Sequence, residues 1–278
     1  MFVLLASSSM LHAQHWISTG LRGGAGINLV KGNSLKSQLE PSGMLDVDYT
    51  YYWRLRHLEL GIQTGVLVGY TSGGYLSSIN EAYSNTDYLG NQMDYTITAS
   101  RVFEQTHSVA IEVPVMFALR WQGLVFNAGV KVQVPVWYSN KQQISDDLSI
   151  AATYPAYGVT LVNQPITGCL NAADLMTSGR QDVADVSLLL STEIGYEWTL
   201  TPADRVGLVA YFDGAPYCHM KSSNADTNII QVAPISDATN PVPAVAVNTL
   251  VGTRVQQMNY LAFGVKVYYR FDVQRHMK

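Results

Sequence analysis

Asp46 and Asp48 stand two residues apart, a spacing at which paired carboxylates could do acid–base chemistry. Two carboxylates that share a site can serve as general acid and general base. Asp213 and His219 could complete such a set, as in outer-membrane proteases of the omptin type. The same carboxylates could instead neutralise arginines in a polar interior, and this structural interpretation is preferred, because charge clusters indicate catalysis only probabilistically. No catalytic residue is therefore predicted.

The remaining metal-ligating and redox-active side chains predict no site of their own. The six histidines show no ligand spacing, so neither a metal site nor a cofactor is expected. Cys169 and Cys218 could form one disulfide in an exported protein. Two free thiols are the alternative, because a sequence does not fix the separation of two Cα atoms.

Eight stretches of the chain alternate between apolar and polar side chains with the period of two that β-strands have. In residues 109–121, valine, isoleucine, phenylalanine, leucine and tryptophan fall on one face, and Glu112 and Arg120 fall on the other. The apolar faces carry no charge, whereas the polar faces carry seven basic and seven acidic residues. If the strands form a narrow barrel with the polar faces inside, the interior needs equal numbers of positive and negative charges, because an unpaired buried ion costs several kcal/mol. We call the fourteen residues the luminal network: Arg22, Asp46, Asp48, Arg54, Glu59, Glu112, Arg120, Lys131, Glu193, Glu197, Arg205, Asp213, Lys266 and Arg270.

Short and long connections alternate between these stretches. The short ones are 55–57, 122–123 and 201–204, and the long ones are about 31–42, 71–94, 139–185 and 214–256. Outer-membrane barrels have short turns at the periplasmic end and long loops outside. Aromatic side chains near both ends predict two interfacial girdles, with Trp53, Trp121, Trp198 and Phe271 at the short turns and Tyr70 and Tyr138 at the long loops.

Composition excludes several other classes. Of the 278 residues 47% are hydrophobic and only 14% are charged, which excludes a disordered chain. No run approaches the ~18 apolar residues of a membrane-spanning helix. A net charge of −4 without basic clusters argues against nucleic-acid binding. Residues 1–13 are similar to a secretory signal peptide, which would make 14–278 the exported part; a disordered or strand-forming N-terminus is the alternative.

Three segments carry a resemblance to a known family. They are the glycine-rich TGLRGGAGINL at 19–29, the pair VAIEVPVMFALRW and FNAGVKVQVPV at 109–121 and 126–136, and the closing YLAFGVKVYYRF at 260–271. They resemble the eight-stranded outer-membrane β-barrels of Bacteroidota, the PorT-like barrels. The closing segment also resembles the signal read by the barrel-assembly machinery, although residues 272–278 follow its last aromatic. The resemblance implies a membrane barrel without a common catalytic site, and it transfers no functional residue.

The sequence thus predicts an all-β fold, an eight-stranded antiparallel up-and-down transmembrane β-barrel whose lumen is filled by side chains. We expect it in an outer membrane with periplasmic termini and surface-exposed loops. The expected role is non-catalytic, in surface interaction, envelope organisation or a secretion assembly; an outer-membrane enzyme, a small-molecule channel and a soluble ligand-binding barrel are the alternatives. Expected partners are outer-membrane lipid, lipopolysaccharide, the assembly machinery and an envelope or secretion protein. Lys31, Lys36, Lys141 and Lys221 could meet lipopolysaccharide phosphates, although a role in solubility is preferred.

Overall fold

The computed structural model describes residues 13–31, 35–55, 57–87, 89–164, 178–179, 186–218, 228–233, 243–250, 253 and 257–276. Thirteen strands and a short helix at Val273–His276 are found in these ranges. The strands are β1 (Ala13–Lys31), β2 (Lys36–Leu55), β3 (Leu58–Thr86), β4 (Gln92–Trp121), β5 (Leu124–Ile144), β6 (Ser149–Tyr154), β7 (Val159–Val162), β8 (Ser178–Gly179), β9 (Ser187–Thr199), β10 (Asp204–Cys218), β11 (Ile230–Val232), β12 (Val245–Val247) and β13 (Gln257–Asp272). Within the described ranges, no helix has the length and hydropathy that a membrane crossing requires.

Eight of these strands close into a ring. Each is antiparallel to its neighbours in the order β1, β2, β3, β4, β5, β9, β10 and β13, and β13 returns to pair with β1. Closure leaves no free sheet edge within the ring. The predicted fold class, an eight-stranded antiparallel up-and-down β-barrel of the transmembrane type, is therefore confirmed.

One end of the ring has short turns, and the local sequence accounts for them. The β4–β5 turn consists of Gln122 and Gly123, both with positive φ, which is the backbone of a two-residue type I′ hairpin. Tyr196 lies over Gly123, where a Cβ atom would stand 2.6 Å from the tyrosine ring. The third turn, between β9 and β10, spans residues 200–203 and is closed by a hydrogen bond from the Leu200 amide to the Asp204 carbonyl oxygen, 3.0 Å.

At the other end the strands run further than the predicted connections allowed. Residues 71–86 and 92–94, expected to be part of a loop, belong to β3 and β4, which reach 29 and 30 residues. Residues 36–42, 139–144, 149–154, 159–162 and 214–218 are also strand rather than loop. We call the part of this sheet beyond the ring the outer extension: β3 after Thr71, β4 before Ser108, the end of β5, and β6 and β7. The strands continue because their inward side chains find a second core there.

That second core is apolar. The inward side chains of the outer extension pack with residues of segments 228–233 and 243–250 to give one buried cluster: Tyr75, Ile79, Met93, Tyr95, Ile97, Ala99, Val102, Ile144, Leu148, Ile150, Ala152, Ile229, Ile230, Val232 and Leu250. Burial raises the pKa of Tyr95 to about 12. The outer extension is thus a folded unit with its own interior, fused to the ring through continuous strands.

Candidate functional site

The ring has apolar side chains on its outside and charged side chains on its inside, which is the reverse of a soluble barrel. Val115, Val132 and Val265 are exposed on its outside, whereas Glu112 and Lys266 are buried inside. Because side-chain direction alternates along every strand, each strand contributes alternately to an apolar exterior and an ionic interior. This arrangement suits a barrel that is surrounded by acyl chains.

The apolar exterior forms a belt of limited height. In β3 the exposed apolar side chains run from Ile62 to Tyr70, with half-buried Leu60 before them. From Leu60 to Tyr70 the strand covers ~33 Å at about 3.3 Å per residue, or ~25 Å of height at the usual barrel tilt. Beyond Tyr70, the outward positions are Ser78, Asn80 and other small or polar residues. The belt therefore matches the ~25 Å apolar band of outer-membrane barrels and ends where the outer extension begins.

Aromatic residues mark both edges of the belt, with one difference from the prediction. Trp121 and Trp198 are exposed at the short-turn edge, where Trp53 and Phe271 are half-buried, and Tyr70 is exposed at the other edge. Tyr138, predicted to join Tyr70, is only 8% exposed and points inward. A bulge is the reason: Val109 pairs with Trp137 while Ala110 pairs with Pro135, so the extra residue Val136 reverses the alternation. Trp137 takes the outward position instead.

Thirteen of the fourteen luminal-network residues are buried inside the ring, and Arg54, at the short-turn mouth, is 45% exposed. In the middle of the lumen, Arg22 Nε lies 3.1 Å from Asp46 Oδ2 and also contacts Glu193. Lys266 Nζ lies 2.8 Å from Asp46 Oδ2 and 2.5 Å from Asp48 Oδ2. Both aspartates of the proposed acid–base pair therefore have cationic partners in the interior.

The ion pairs in the middle of the lumen form a first layer, and a second layer of ion pairs lies nearer the outer extension. Lys131 Nζ is 2.6 Å from Asp213 Oδ2 and 3.7 Å from Glu112 Oε2. Ser191 Oγ donates a hydrogen bond to Asp213 Oδ1, and Gln133 Nε2 donates one to Glu112 Oε1. Asp213 is thus 2.6 Å from a lysine amine and buried, while its predicted companion His219 lies outside the described residues.

A third layer closes the short-turn end of the lumen. Arg120 contacts Glu59 and places its NH1 2.8 Å from Glu197 Oε1. Arg205 NH1 and Arg270 NH1 reach the same Glu197 at 3.1 and 2.9 Å. Arg54 NH2 lies 3.0 Å from Glu59 Oε1. Two carboxylates here receive four guanidinium groups.

Uncharged side chains also contribute to the interior beside the luminal network. Trp16 is buried, and the Arg205 guanidinium lies 3.9 Å from its ring centroid, a cation–π contact. Asn127 Nδ2 donates to Glu193 Oε2, 2.8 Å, and to Gln63 Oε1, 3.0 Å. The alternation places Asn127 on the same polar face as Lys131, and Gln63 on the same polar face as Glu59, and both are buried as this predicts. The sequence analysis assigns no role to Trp16, which lies near the start of β1, before the glycine-rich segment 19–29.

Because the described lumen is filled by these side chains, we expect the protein to form no open pore. Reconstituted into a planar lipid bilayer, it should give no conductance steps above the bare membrane at applied potentials up to the breakdown of the film. A variant with Lys131, Asp213 and Glu112 all replaced by Ala would widen the lumen and serves as the positive control. Regular conductance steps of the unmodified protein would contradict the sealed lumen.

The outer extension holds segments 228–233 and 243–250 through polar side chains. Glu81 Oε1 and Oε2 accept hydrogen bonds from the amides of Ile229, 2.8 Å, and Ile230, 3.3 Å. Tyr83 Oη accepts one from the Val232 amide, 2.7 Å, and Glu104 Oε2 accepts one from the Leu250 amide, 2.5 Å. Buried carboxylates therefore satisfy backbone donors of segments that come from far along the chain.

Replacing Glu81 by Ala should loosen the 228–233 segment without unfolding the ring. Loss of two charge-assisted hydrogen bonds removes roughly 1.5–3 kcal/mol of local stability. Hydrogen exchange of the Ile229 and Ile230 amides should then accelerate at least tenfold, because each 1.4 kcal/mol is about a factor of ten. Ser84→Ala, which removes an exposed hydrogen bond to Asp94, is the control and should leave these two rates unchanged. Equal exchange in Glu81→Ala and wild type would refute the anchoring role.

Neither the disulfide nor a metal site gains support from the structure. Cys169 lies outside the described residues, and only the backbone of Cys218 is described. In the described part of the chain, no three or more His, Cys, Asp or Glu side chains are grouped as metal ligands. Lys36 and Lys141 are exposed beyond the belt, whereas Lys221 and the side chain of Lys31 lie outside the description.

Comparisons with known proteins give similarity of architecture alone. No protein-family model matches the chain, and no curated protein matches its sequence. Among solved structures it is similar to Neisserial surface protein A (8% identity, 94% of this chain and 98% of the other covered, TM-score 0.30) and to Ail, the attachment invasion locus protein of Yersinia pestis (8%, 93% and 99%, TM-score 0.31). It is also similar to the outer membrane protease OmpT of Escherichia coli (7%, 94% and 96%, TM-score 0.24). At these values no functional residue can be transferred, and membership of the PorT-like barrels stays a prediction.

Proposed function

We propose that this chain is a non-catalytic integral outer-membrane barrel whose outer extension presents a binding surface to the outside of the cell. The observation that carries the proposal is the change of exterior beyond Tyr70: on β3 and β4 the apolar belt gives way to a mostly polar outward face, which lies over a separate apolar core. A barrel that only spanned a membrane would not need such a core. Long ordered segments carried by a rigid scaffold are where binding functions usually reside.

The outward face of the outer extension supports a role in recognition. It presents hydroxyl and amide groups and few charges, from Ser78, Asn80, Ser84 and Thr86 on β3 and from Thr96, Thr98 and Ser100 on β4. Asp94 is an acidic member, and hydrogen bonds from Ser84 and Gln92 hold the pKa of its carboxyl below the ordinary value. Hydroxyl and amide groups both donate and accept hydrogen bonds, and they carry no positive charge, so this face suits hydroxyl-rich ligands better than polyanions.

The enzyme alternative has weaker support. A catalytic carboxylate pair must reach a substrate, and Asp46, Asp48 and Asp213 are each nearly inaccessible and contact Arg22, Lys131 or Lys266. The proposal accordingly assigns the luminal network a structural role. Outer-membrane lipid, lipopolysaccharide and the barrel-assembly machinery are proposed partners of the belt, and an envelope or secretion protein remains a second candidate partner.

Orientation is the first test of this proposal. In a background with both cysteines replaced by Ser, Thr98→Cys should react with a membrane-impermeant maleimide on intact cells. Gln122→Cys, in a short turn, should react only after the outer membrane is permeabilised. The opposite pattern would overturn the surface role of the outer extension.

Adhesion is the second test. Cells that express the protein should settle faster than cells without it, or should be retained in larger numbers on wells coated with mucin, collagen or a lawn of the same cells. The variant Asn80→Arg with Thr98→Glu places two large charged groups on residues that are directly paired across β3 and β4, and it should abolish the effect. The control pair, Gln122→Arg with Thr201→Glu at the short turns, should retain it. No gain over cells without the protein on all these surfaces would refute the proposal.

A further inference from the structure

The short-turn mouth of the barrel contains a cavity of about 540 Å³ whose lining is rich in guanidinium groups. Arg54, Arg120 and Arg205 line it together with Glu59 and Glu197. The other lining residues are His57, Gln122, Gly123, Tyr196, Trp198 and Thr199. The cavity opens at the end of the barrel opposite the outer extension.

Charge is unevenly distributed along the lumen even though the luminal network sums to zero. The middle and outer layers hold Arg22, Lys131 and Lys266 against five carboxylates, which leaves them two negative charges in excess. The mouth holds four arginines against Glu59 and Glu197, and the buried Asp272 adds a third carboxylate at the same end. Even with Asp272 counted, the mouth keeps a positive excess next to open space.

Each of the two lining carboxylates already contacts at least two guanidinium groups. Glu59 contacts both Arg54 and Arg120, and Glu197 receives Arg120, Arg205 and Arg270. Tyr268 Oη also donates a hydrogen bond to Glu197 Oε2, 3.0 Å. Their negative charge is therefore directed into the wall and opposes an incoming anion only weakly.

The arginines that line the cavity have more N–H donors than the protein's own acceptors use. A guanidinium has five N–H donors. Within the described part of the chain, the Arg205 side chain donates through NH1 to Glu197, and its NH2 group makes no hydrogen bond there; its Nε also lacks a partner but is too buried to meet a ligand in the cavity. The guanidinium carbon of Arg205 also lies 3.9 Å from the centroid of the Trp16 ring, a contact that restricts its movement. Arg54 uses Nε and NH2 on the same Glu59 oxygen, at 3.2 and 3.0 Å, and is half-exposed at the rim.

We propose that this mouth cavity binds an oxyanion, a phosphate or carboxylate group carried by a small molecule or a chain end on the short-turn side of the membrane. Fixed, planar guanidinium groups match the bidentate geometry of such oxygens. Arg205 lies in the cavity wall and would offer its NH2 group, and Arg54 closes over the ligand from the rim. The site is separate from the surface proposed for the outer extension and does not depend on it.

Calorimetric titration of the detergent-solubilised protein with pyrophosphate and with citrate, at low ionic strength, tests the site. Saturable one-to-one binding of either probe supports it, and the preferred probe distinguishes phosphate from carboxylate ligands. Arg54→Gln and Arg205→Gln should each weaken binding at least tenfold. Lys141→Gln removes an exposed cation at the opposite end and should change the dissociation constant less than twofold.

Two results would overturn the proposal: no saturable heat with either probe, or an equal loss in Lys141→Gln, which would indicate unspecific attraction between charges. Heat-dependent migration on denaturing gels reports whether each variant is folded. If Arg205→Gln does not fold, Arg54→Gln decides alone, because its side chain lies at the rim. Binding should also weaken as salt rises, since screening shortens the reach of the guanidinium charges.

Discussion

Replacing Lys131 by Met should lower the free energy of unfolding by about 3–5 kcal/mol. Lys131 is fully buried in the lumen, where its amine lies 2.6 Å from Asp213 and 3.7 Å from Glu112. Methionine has nearly the same length but no charge, so it fills the space and leaves two carboxylates without their closest cation. Denaturant unfolding in lipid vesicles, followed by tryptophan fluorescence, would measure the difference.

The double variant Lys131→Met with Asp213→Asn should recover a large part of that loss. Removing both members of a buried ion pair costs less than removing one, because Asp213 is no longer left as an uncompensated charge. Glu112, which lies 3.7 Å from Lys131, still loses its cation, so the recovery is incomplete. Lys141→Gln, on the same strand but exposed beyond the belt, is the matched control and should stay within about 0.5 kcal/mol. A loss below about 1 kcal/mol for Lys131→Met would mean that water or another cation reaches Asp213, and the sealed lumen would have to be abandoned.

The alternation of side chains was sufficient to predict which residues face the lumen. Glu112 and Lys266 are far apart in the sequence, yet each is assigned inward by its own strand alone, because the period of two needs no knowledge of neighbours. Which of these residues form ion pairs with each other could not be predicted in the same way. Arg22 contacts Glu193, 171 residues away, because ring closure and the stagger of the strands bring them together.

The strands of the outer extension could not be predicted from the same alternation, and the reason is the solvent around them. Beyond the belt, water replaces lipid as the outer solvent, so the preferred residue types exchange faces. Ile97 points inward and Thr98 outward, whereas within the belt Val115 points outward and Met116 inward. Irregularities of register, such as the shift between Ser77 and Ile79, further interrupt the pattern. A single rule for both halves therefore predicted loops where strands continue.

Substituting Arg for Val115 should separate a lipid-facing barrel from a soluble one more sharply than any other single change. Val115 is 55% exposed and lies halfway between the two ends of the belt on β4. At an exposed position in water, arginine would change stability by less than about 0.5 kcal/mol. At the middle of a bilayer the same guanidinium should cost about 2–4 kcal/mol, because it leaves water without gaining a partner.

A series along β4 makes this test independent of local packing. Arginine placed at the outward positions Ile111, Val113, Val115 and Phe117 should cost most near Val115 and about 0–1 kcal/mol toward the edge of the belt. Thr98→Arg, outward on the same strand but in the outer extension, is the control and should be nearly neutral. Unfolding in vesicles gives the depth profile. If the loss of unfolding free energy were the same at every position, with Val115→Arg no worse than Thr98→Arg, no acyl chains would surround the ring. Water alone on the outside cannot produce a loss that is largest at mid-height.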